Sequence, residues 1–378
     1  MKFCADDRST VTTLELGSTY ARLGIFNKLI LNTGSYFEKK IDFTRDNLNE
    51  SHKIFNLITD AEKYSGMHLN DLILLIDSSS IHSLDYTIQK NYDKKIITLQ
   101  DIEYLVNEST NIIKLNNKEK EILHTINSKL IFDDDEVENF QNITSKVNKV
   151  TLELKFIMIN KKLCDTLKNL FFSKHISLKE IFCISYIKSS GLIERLNISG
   201  YSSFIDIGHK KSSLTIFKDN KILYLNNISV GGDHITKDIS KILNIDYRKA
   251  EAKKIKFSKN NIAKEDELLK NVINARLEEI IELLFLKCPL IKNNVFKSNL
   301  NLYFIGNGSK VLNENLLSFG SEFNFINEMS IIEEGKQDVI ESAIKFVSQN
   351  EKMQPKKPII NLENKGFFEK LFEYFTGK

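Results

Sequence analysis

Short stretches of alternating apolar and polar residues recur along this chain, each closed by glycine or hydroxyl residues. "TLELGSTYARLGIF", residues 13–26, reads as two strands joined by a glycine turn, and "FIDIGHKKSSLTIFKDNKI", residues 204–222, has the same layout. "LNDLILLIDSSS" ends a further strand, and "KVTLELKFIMIN" alternates with period two from Val150 to Met158. "NLYFIGNGSKV", residues 301–311, is an apolar strand running into glycines. Helical spacing lies between these strands. Thr98 caps a segment with apolar Ile102, Leu105 and Val106, and Gly231 and Gly232 open one carrying Ile235, Ile239, Ile242 and Leu243. The mixture predicts an α/β fold.

The first two stretches echo each other. Glu15 and Gly17 precede Ile25 and Phe26 as Asp206 and Gly208 precede Ile216 and Phe217, the acid standing eleven residues before the Phe in both copies. The repeat predicts two related halves facing each other. Glycine permits close backbone approach, and Lys210, Lys211, Ser212 and Ser213 offer donors. Such facing turns suit a polyphosphate, with Glu15 and Asp206 placed to hold hydrated magnesium through oxygen. They equally suit two ordinary hairpins. Gly306, Asn307, Gly308 and Ser309 add a place where backbone can approach a nucleotide. Glu251 and Lys254, three apart on one helix face, either bracket a ribose or pair with each other.

Composition narrows the classes. With 378 residues the chain has length for two or more domains. A formal charge of +3, from 53 basic and 50 acidic residues, argues against a nucleic-acid surface. Cys4, Cys164, Cys183 and Cys288 lie without metal-ligand spacing, which reads as a reduced cytosolic protein. The opening "MKFCADDRST" is polar, unlike a signal peptide, and no apolar run approaches the ~20 residues of a membrane span.

These residues, in this order, resemble the actin, sugar-kinase and chaperone ATPase superfamily, and within it the FtsA family of bacterial cell-division proteins. "IDIG", "TIFKDNKI", "ISVGGDHITKDIS", "AEAKKIKF", "VINARLEEIIELL" and "LYFIGNGS" carry the resemblance, which with the N-terminal turn covers most of the chain. It implies a two-lobed actin-like ATPase fold closing on ATP and Mg2+, with an inserted small α+β subdomain and a C-terminal amphipathic helix. The first lobe would take residues 1–82 and 161–199, and the inserted subdomain 83–160, in the order strand, helix, strand, strand. The second lobe would take 200–232 and 299–349, the latter including a helix returning to the first lobe, with its small subdomain at 233–298. Gly17, Ser18, Thr19 and Tyr20 would form one phosphate turn, and Asp206, Gly208, His209, Lys210, Lys211 and Ser212 the other. Gly231, Gly232, Glu251, Lys254, Gly306, Asn307, Gly308 and Ser309 would complete the nucleotide site, and Glu15 and Asp206 would carry magnesium through water. His209 stands where superfamily members usually carry a second glycine, and Glu15 where Asp is more common, so binding is expected with weak or absent hydrolysis.

The chain's end is distinctive. Pro355 and Pro358 fall in a polar stretch, 350–365, suited to a flexible linker. In 366–378, Phe367, Phe368, Leu371, Phe372 and Phe375 fall within an arc of roughly 140° at helical spacing, opposite Glu369, Lys370, Glu373 and Thr376. Amphipathicity alone allows docking on protein or on lipid. The resemblance implies membrane anchoring at the cytoplasmic face of the inner membrane, at the division site. It also implies self-association as a polymer or dimer, binding of the FtsZ C-terminal tail to the subdomain at 233–298, and contact with later divisome proteins, but no nucleic acid. The acidic "FDDDEVENF", including 133–138, is either a partner-facing loop or a solvated turn. The rival readings are an FtsA-related pilus-assembly module and a small-molecule kinase of the same superfamily.

Overall fold

The computed structural model describes residues 10–27, 34–42, 50–137, 146–259, 267–293, 295–297, 299–312 and 323–353. The Phe-rich segment with Phe367, Phe368, Leu371, Phe372 and Phe375 lies outside the described residues, as does the linker from 354 onward.

The chain opens with an antiparallel meander, β1 (Thr10–Leu16), β2 (Tyr20–Asn27) and β3 (Gly34–Lys40). Helix α1 (Ser51–Ser65) crosses over to β4 (Asp71–Ile76), which pairs parallel to β1. An excursion follows: β5 (His82–Ile96), α2 (Leu99–Asn116), β6 (Lys120–Phe132), the short β7 (Asp135–Glu136) and β8 (Lys146–Asn160). The chain returns through α3 (Lys161–Phe172) to β9 (Ser177–Cys183), parallel to β4, and leaves along α4 (Ile184–Leu196).

The second half repeats the pattern. β10 (Tyr201–Ile207), β11 (Ser212–Lys218) and β12 (Lys221–Ile228) form the meander. Helices α5 (Gly232–Ile242), α6 (Tyr247–Lys259), α7 (Glu267–Phe285) and α8 (Pro289–Lys292) lead to β13 (Leu300–Ile305), parallel to β10. A 3-10 turn at Asn307–Val311 precedes β14 (Ile326–Ile331) and α9 (Asp338–Met353). The first sheet therefore runs β3-β2-β1-β4-β9, and the corresponding part of the second runs β12-β11-β10-β13-β14. The echo in the sequence is thus a repeat of topology, with β1 and β10 as equivalent central strands.

Burial follows from that placement. β1 and β11 are buried along nearly their whole length, because helices cover both faces of a sheet built on parallel crossovers. One core joins the first sheet to α1, α3, α4 and α9, and a second joins β10, β11 and β13 to α5 and α7. The excursion has a third core around Leu105, Ile113, Val150, Leu152 and Phe156, and β5 joins the second sheet at the ladder pair Asn226 opposite His82, beside which Leu225 N–H donates to Ser83 Oγ at 3.0 Å. β8 lies between β5 and β6.

Two local expectations meet the structure directly. Thr98 closes a capping box with Asp101, its side chain accepting the Asp101 N–H while the Asp101 carboxylate accepts the Thr98 N–H at 2.9 Å. The period-two burial of β8 holds at Val150, Leu152 and Leu154 but ends at Lys155, from which every residue to Ile159 is buried. There Phe156 and Met158 face the third core while Ile157 and Ile159 enter the first. The acidic stretch after Phe132 begins as a tight turn in which Asp133 accepts the N–H groups of Asn148 and Lys149 at 3.0 and 2.8 Å. α9 continues to Met353, past the boundary expected at 350. Among the described residues no helix is long and apolar enough to cross a membrane.

Candidate functional site

The strand registers fix two equivalent turns. Leu16 pairs with Ala21 and Ile207 with Ser212, leaving Gly17–Tyr20 and Gly208–Lys211 as four-residue turns at matching strand ends. Each is closed in the same way: Gly17 N–H donates to the Tyr20 carbonyl at 3.0 Å, and Gly208 N–H to that of Lys211 at 2.9 Å. The two turns line one cleft of about 1170 Å³ between the halves.

Most of the residues singled out from the sequence meet there. Gly17, Ser18, Thr19 and Tyr20 line one part of it, and Asp206, Gly208, His209, Lys210, Lys211 and Ser212 another. Gly232, Glu251, Lys254, Gly306, Asn307 and Gly308 complete it, as does Glu15. Gly231 and Ser309 stand behind this surface. A Cβ on Gly231 would lie 2.7 Å from the Gly208 carbonyl oxygen and 2.8 Å from the Lys211 nitrogen, so this glycine lets α5 pack against the second turn. Gly232 and Asp233 then donate their N–H groups to the carbonyls of Gly208 and His209 at 2.9 and 2.7 Å. Two otherwise orphaned amides of the helix start thereby hold the turn in place. Ser309 is buried and donates to the Gly306 carbonyl at 2.6 Å.

Glu251 and Lys254 form the pair, at 2.7 Å, rather than standing apart. The Lys254 ammonium also donates to the Gly232 carbonyl and to Thr236 Oγ1, at 2.9 and 2.6 Å, fastening α6 to the start of α5. Lys210 and Lys211 reach across the cleft. Lys210 pairs with Asp42, and Lys211 donates to the main-chain carbonyl of Asp77.

The acids at the strand ends are matched by protein cations. Arg22 stands opposite Glu15 in the β1–β2 register and donates through Nη1 to both carboxylate oxygens, at 2.9 and 3.1 Å, while its Nε donates to Glu38 at 2.8 Å. Burial raises the Glu15 pKa above the ordinary carboxylate value, against the pull of Arg22. Lys188, on α4, lies 2.7 Å from Asp206 and 2.8 Å from Glu334. Burial alone would lower its pKa; the two carboxylates outweigh that and hold it above the usual lysine value. Glu334 is raised by burial and by the nearby Asp206 charge, and it accepts the Gly306 N–H at 2.8 Å. Asp77, at the end of β4, is pushed up to about 6, first by burial and then by Asp206, with Lys211 and Ser185 acting in the opposite direction.

The metal expectation fits these residues poorly. Glu15 and Asp206 are each engaged by a cation, and among the described residues no group of three or more His, Cys, Asp or Glu is arranged to hold a metal. Arg22, Asp77, Lys188 and Glu334 also line the cleft and stand outside the turn and glycine motifs of the sequence. Lys188 had a signal, as a lone lysine in the apolar "ISYIKSSGLI", and Asp77 ends the apolar "LILLID". Arg22 and Glu334 become visible only through strand register and chain return.

A family model described as cell division protein FtsA matches residues 203–283, from β10 through the second turn and into α7. FtsA of Helicobacter pylori (strain ATCC 700392 / 26695) is 24% identical over 162 residues, which are 43% of this chain and 32% of that protein. The match thus spans about a third of the curated relative's length. Among solved structures, the PilM-PilN type IV pilus biogenesis complex aligns over 87% of this chain and 89% of that one, with a TM-score of 0.57 at 13% identity. MreB 5 of Spiroplasma citri bound to AMPPNP aligns over 92% and 98%, with a TM-score of 0.49 at 12% identity.

Proposed function

We propose that this chain is an FtsA-like cell-division protein that binds ATP in the cleft, self-associates in actin-like fashion and tethers FtsZ filaments to the inner membrane during septum assembly. The architecture itself is the two-lobed actin-like ATPase fold. The observation that carries the reading is the pair of equivalent turns across one cleft, the second of them within the stretch matched by the FtsA model. Two turns that offer main-chain amides, with hydroxyls on the first and lysines on the second, suit a polyphosphate better than a neutral ligand. The cleft volume exceeds the ~300–1,000 Å³ usual for small-molecule sites and admits a nucleoside triphosphate.

The FtsZ tail would dock on the small subdomain formed by α5 to α8. Lys253 and Lys256 are exposed on α6 and suit an acidic tail, whereas Lys254 is buried within the cleft wall and does not. Hydrolysis would be slow, because the second turn carries His209 and its two lysines are tied across the cleft. The protein would act peripherally at the cytoplasmic face of the inner membrane at the division site, with the Phe-rich end as anchor. The pilus-module reading shares the fold but leaves that end without a role.

The test is cosedimentation with liposomes of bacterial lipid in the presence of ATP and FtsZ. FtsZ should pellet only when this chain is present, and FtsZ lacking its C-terminal tail should stay in solution. FtsZ remaining in the supernatant throughout would refute the tether, and rapid ATP turnover stimulated by a sugar or an acid would favour the kinase reading.

A further inference from the structure

Resting on the nucleotide reading of the cleft, we propose that this site binds the triphosphate without a divalent cation, and that Arg22 and Lys188 are built-in counter-charges at the positions where metal-bound water would be held. Three observations converge. Both strand-end acids are engaged: Glu15 by a guanidinium reaching both of its oxygens, Asp206 by an ammonium at 2.7 Å. Lys188 is shared with Glu334 at 2.8 Å, and the three side chains are 9%, 13% and 13% exposed. Finally, α4 around Lys188 is otherwise buried and largely apolar, with Ile184, Ile187, Leu192 and Ile193 in the core.

An ammonium is placed in such a helix at a desolvation cost that only close carboxylates offset. Magnesium binds through oxygen ligands and keeps several waters, usually anchored by one or two carboxylates. A carboxylate already holding an ammonium at hydrogen-bond distance has fewer lone pairs for those waters, and the ammonium repels the incoming ion. Expelling Lys188 would leave a buried charge unpaired. The remaining charges facing the pair are Asp77, with Lys211 beside it, and Glu15 with Arg22, so the cluster is mixed in sign rather than a carboxylate nest. A triphosphate entering it meets positive charge supplied by the chain.

The experiment measures binding of a fluorescent ATP analogue to the full chain in excess magnesium and again in EDTA. The expected affinities differ by less than about threefold between the two media. Lys188→Met, which frees Asp206 and Glu334, should lose about tenfold or more in EDTA and recover when magnesium is added, a dependence that loss of packing alone would not create. Lys188→Arg keeps the charge and should retain metal-independent binding, covering the case in which the methionine variant melts early. Binding by the unaltered chain only in magnesium would overturn the inference and leave the nucleotide reading standing. Binding in neither medium would overturn both. Metal-independent binding unaltered in Lys188→Met would remove Lys188 from the proposed role.

Discussion

A Cβ added to Gly306 would lie 2.1 Å from Oδ1 of Asp206, the carboxylate held by Lys188. Gly306 has φ +86, a conformation that L side chains rarely adopt, and its N–H is held by Glu334. Strand end, glycine loop and ion pair therefore form one packed unit, in which a side chain at position 306 has no room beside the acid.

Gly306→Ala should accordingly do two things. Backbone strain should lower stability by about 1–3 kcal/mol in denaturant titration, and displacement of Asp206 should weaken nucleotide binding. Gly66→Ala separates the two effects. Gly66 also has positive φ, +70, at the end of α1, but nothing lies within 4 Å of its Cβ position. It should lose about 1 kcal/mol with binding unchanged. Equal nucleotide affinity in both variants would separate Gly306 from the site.

Asp77 should give the protein a pH dependence near 6. Its folded pKa of about 6 lies above the ordinary carboxylate value of ~3.9, so between these values the folded chain keeps a proton that the unfolded chain has released. The stabilisation is fully present below the lower value and is lost as pH rises through 6. Because Asp77 is partly open to the cleft, the effect is on the order of 1 kcal/mol. Neutral Asp77 also repels phosphate less, so nucleotide binding should strengthen as pH falls from 7 to 5. Asp77→Asn keeps an acceptor for the Ser185 N–H, now 3.2 Å away, and should flatten both profiles at the low-pH level. A profile that stays as steep in the variant would assign the dependence to another group.

Thr98→Ala should destabilise the excursion alone. Removing the side chain that accepts the Asp101 N–H and donates to its carboxylate at 2.8 Å costs about 1 kcal/mol for a helix start of this kind. Hydrogen exchange should quicken in α2 and its partners in the third core, while β1 and β10 keep their protection. Uniform loss across the chain would mean that the excursion unfolds only with the rest.

What the sequence could reveal depended on distance along the chain. The turn glycines, the Thr98 cap and the helix opened by Gly231 and Gly232 rest on local spacing, and each falls in its expected element. The charge pattern of the cleft does not. Lys188 meets Asp206 from the preceding element and Glu334 from far along the chain, and Lys210 meets Asp42 from the opposite half. No periodicity encodes such pairs. The same limit explains Gly231: its spacing marked a special backbone position, but only the fold shows that the special contact is with the turn rather than with the cleft. β8 departs from strict alternation because its end lies between two cores, a circumstance set by neighbours remote in sequence.

Residues 366–378 carry their apolar arc in the spacing of the sequence itself. If the arc of Phe367, Phe368, Leu371, Phe372 and Phe375 enters the lipid interface, each ring adds at most about 1.5–3 kcal/mol when fully buried, so one short helix binds reversibly. Copies joined in a polymer would bind together, since tethering raises the effective concentration of each helix at the surface. Phe368→Glu or Phe372→Glu places a charge among apolar groups and should release the chain from liposomes while ATP binding survives. Glu369→Gln, on the opposite face, removes a charge that anionic headgroups repel and should leave attachment intact or slightly stronger. Deleting residues 364–378 should abolish sedimentation with lipid, and an unrelated amphipathic helix fused after Pro358 should restore it, because the linker supplies reach rather than contacts. Continued lipid binding by the deletion variant would place the anchor elsewhere, and equal losses in Phe372→Glu and Glu369→Gln would mean that the segment packs on protein instead.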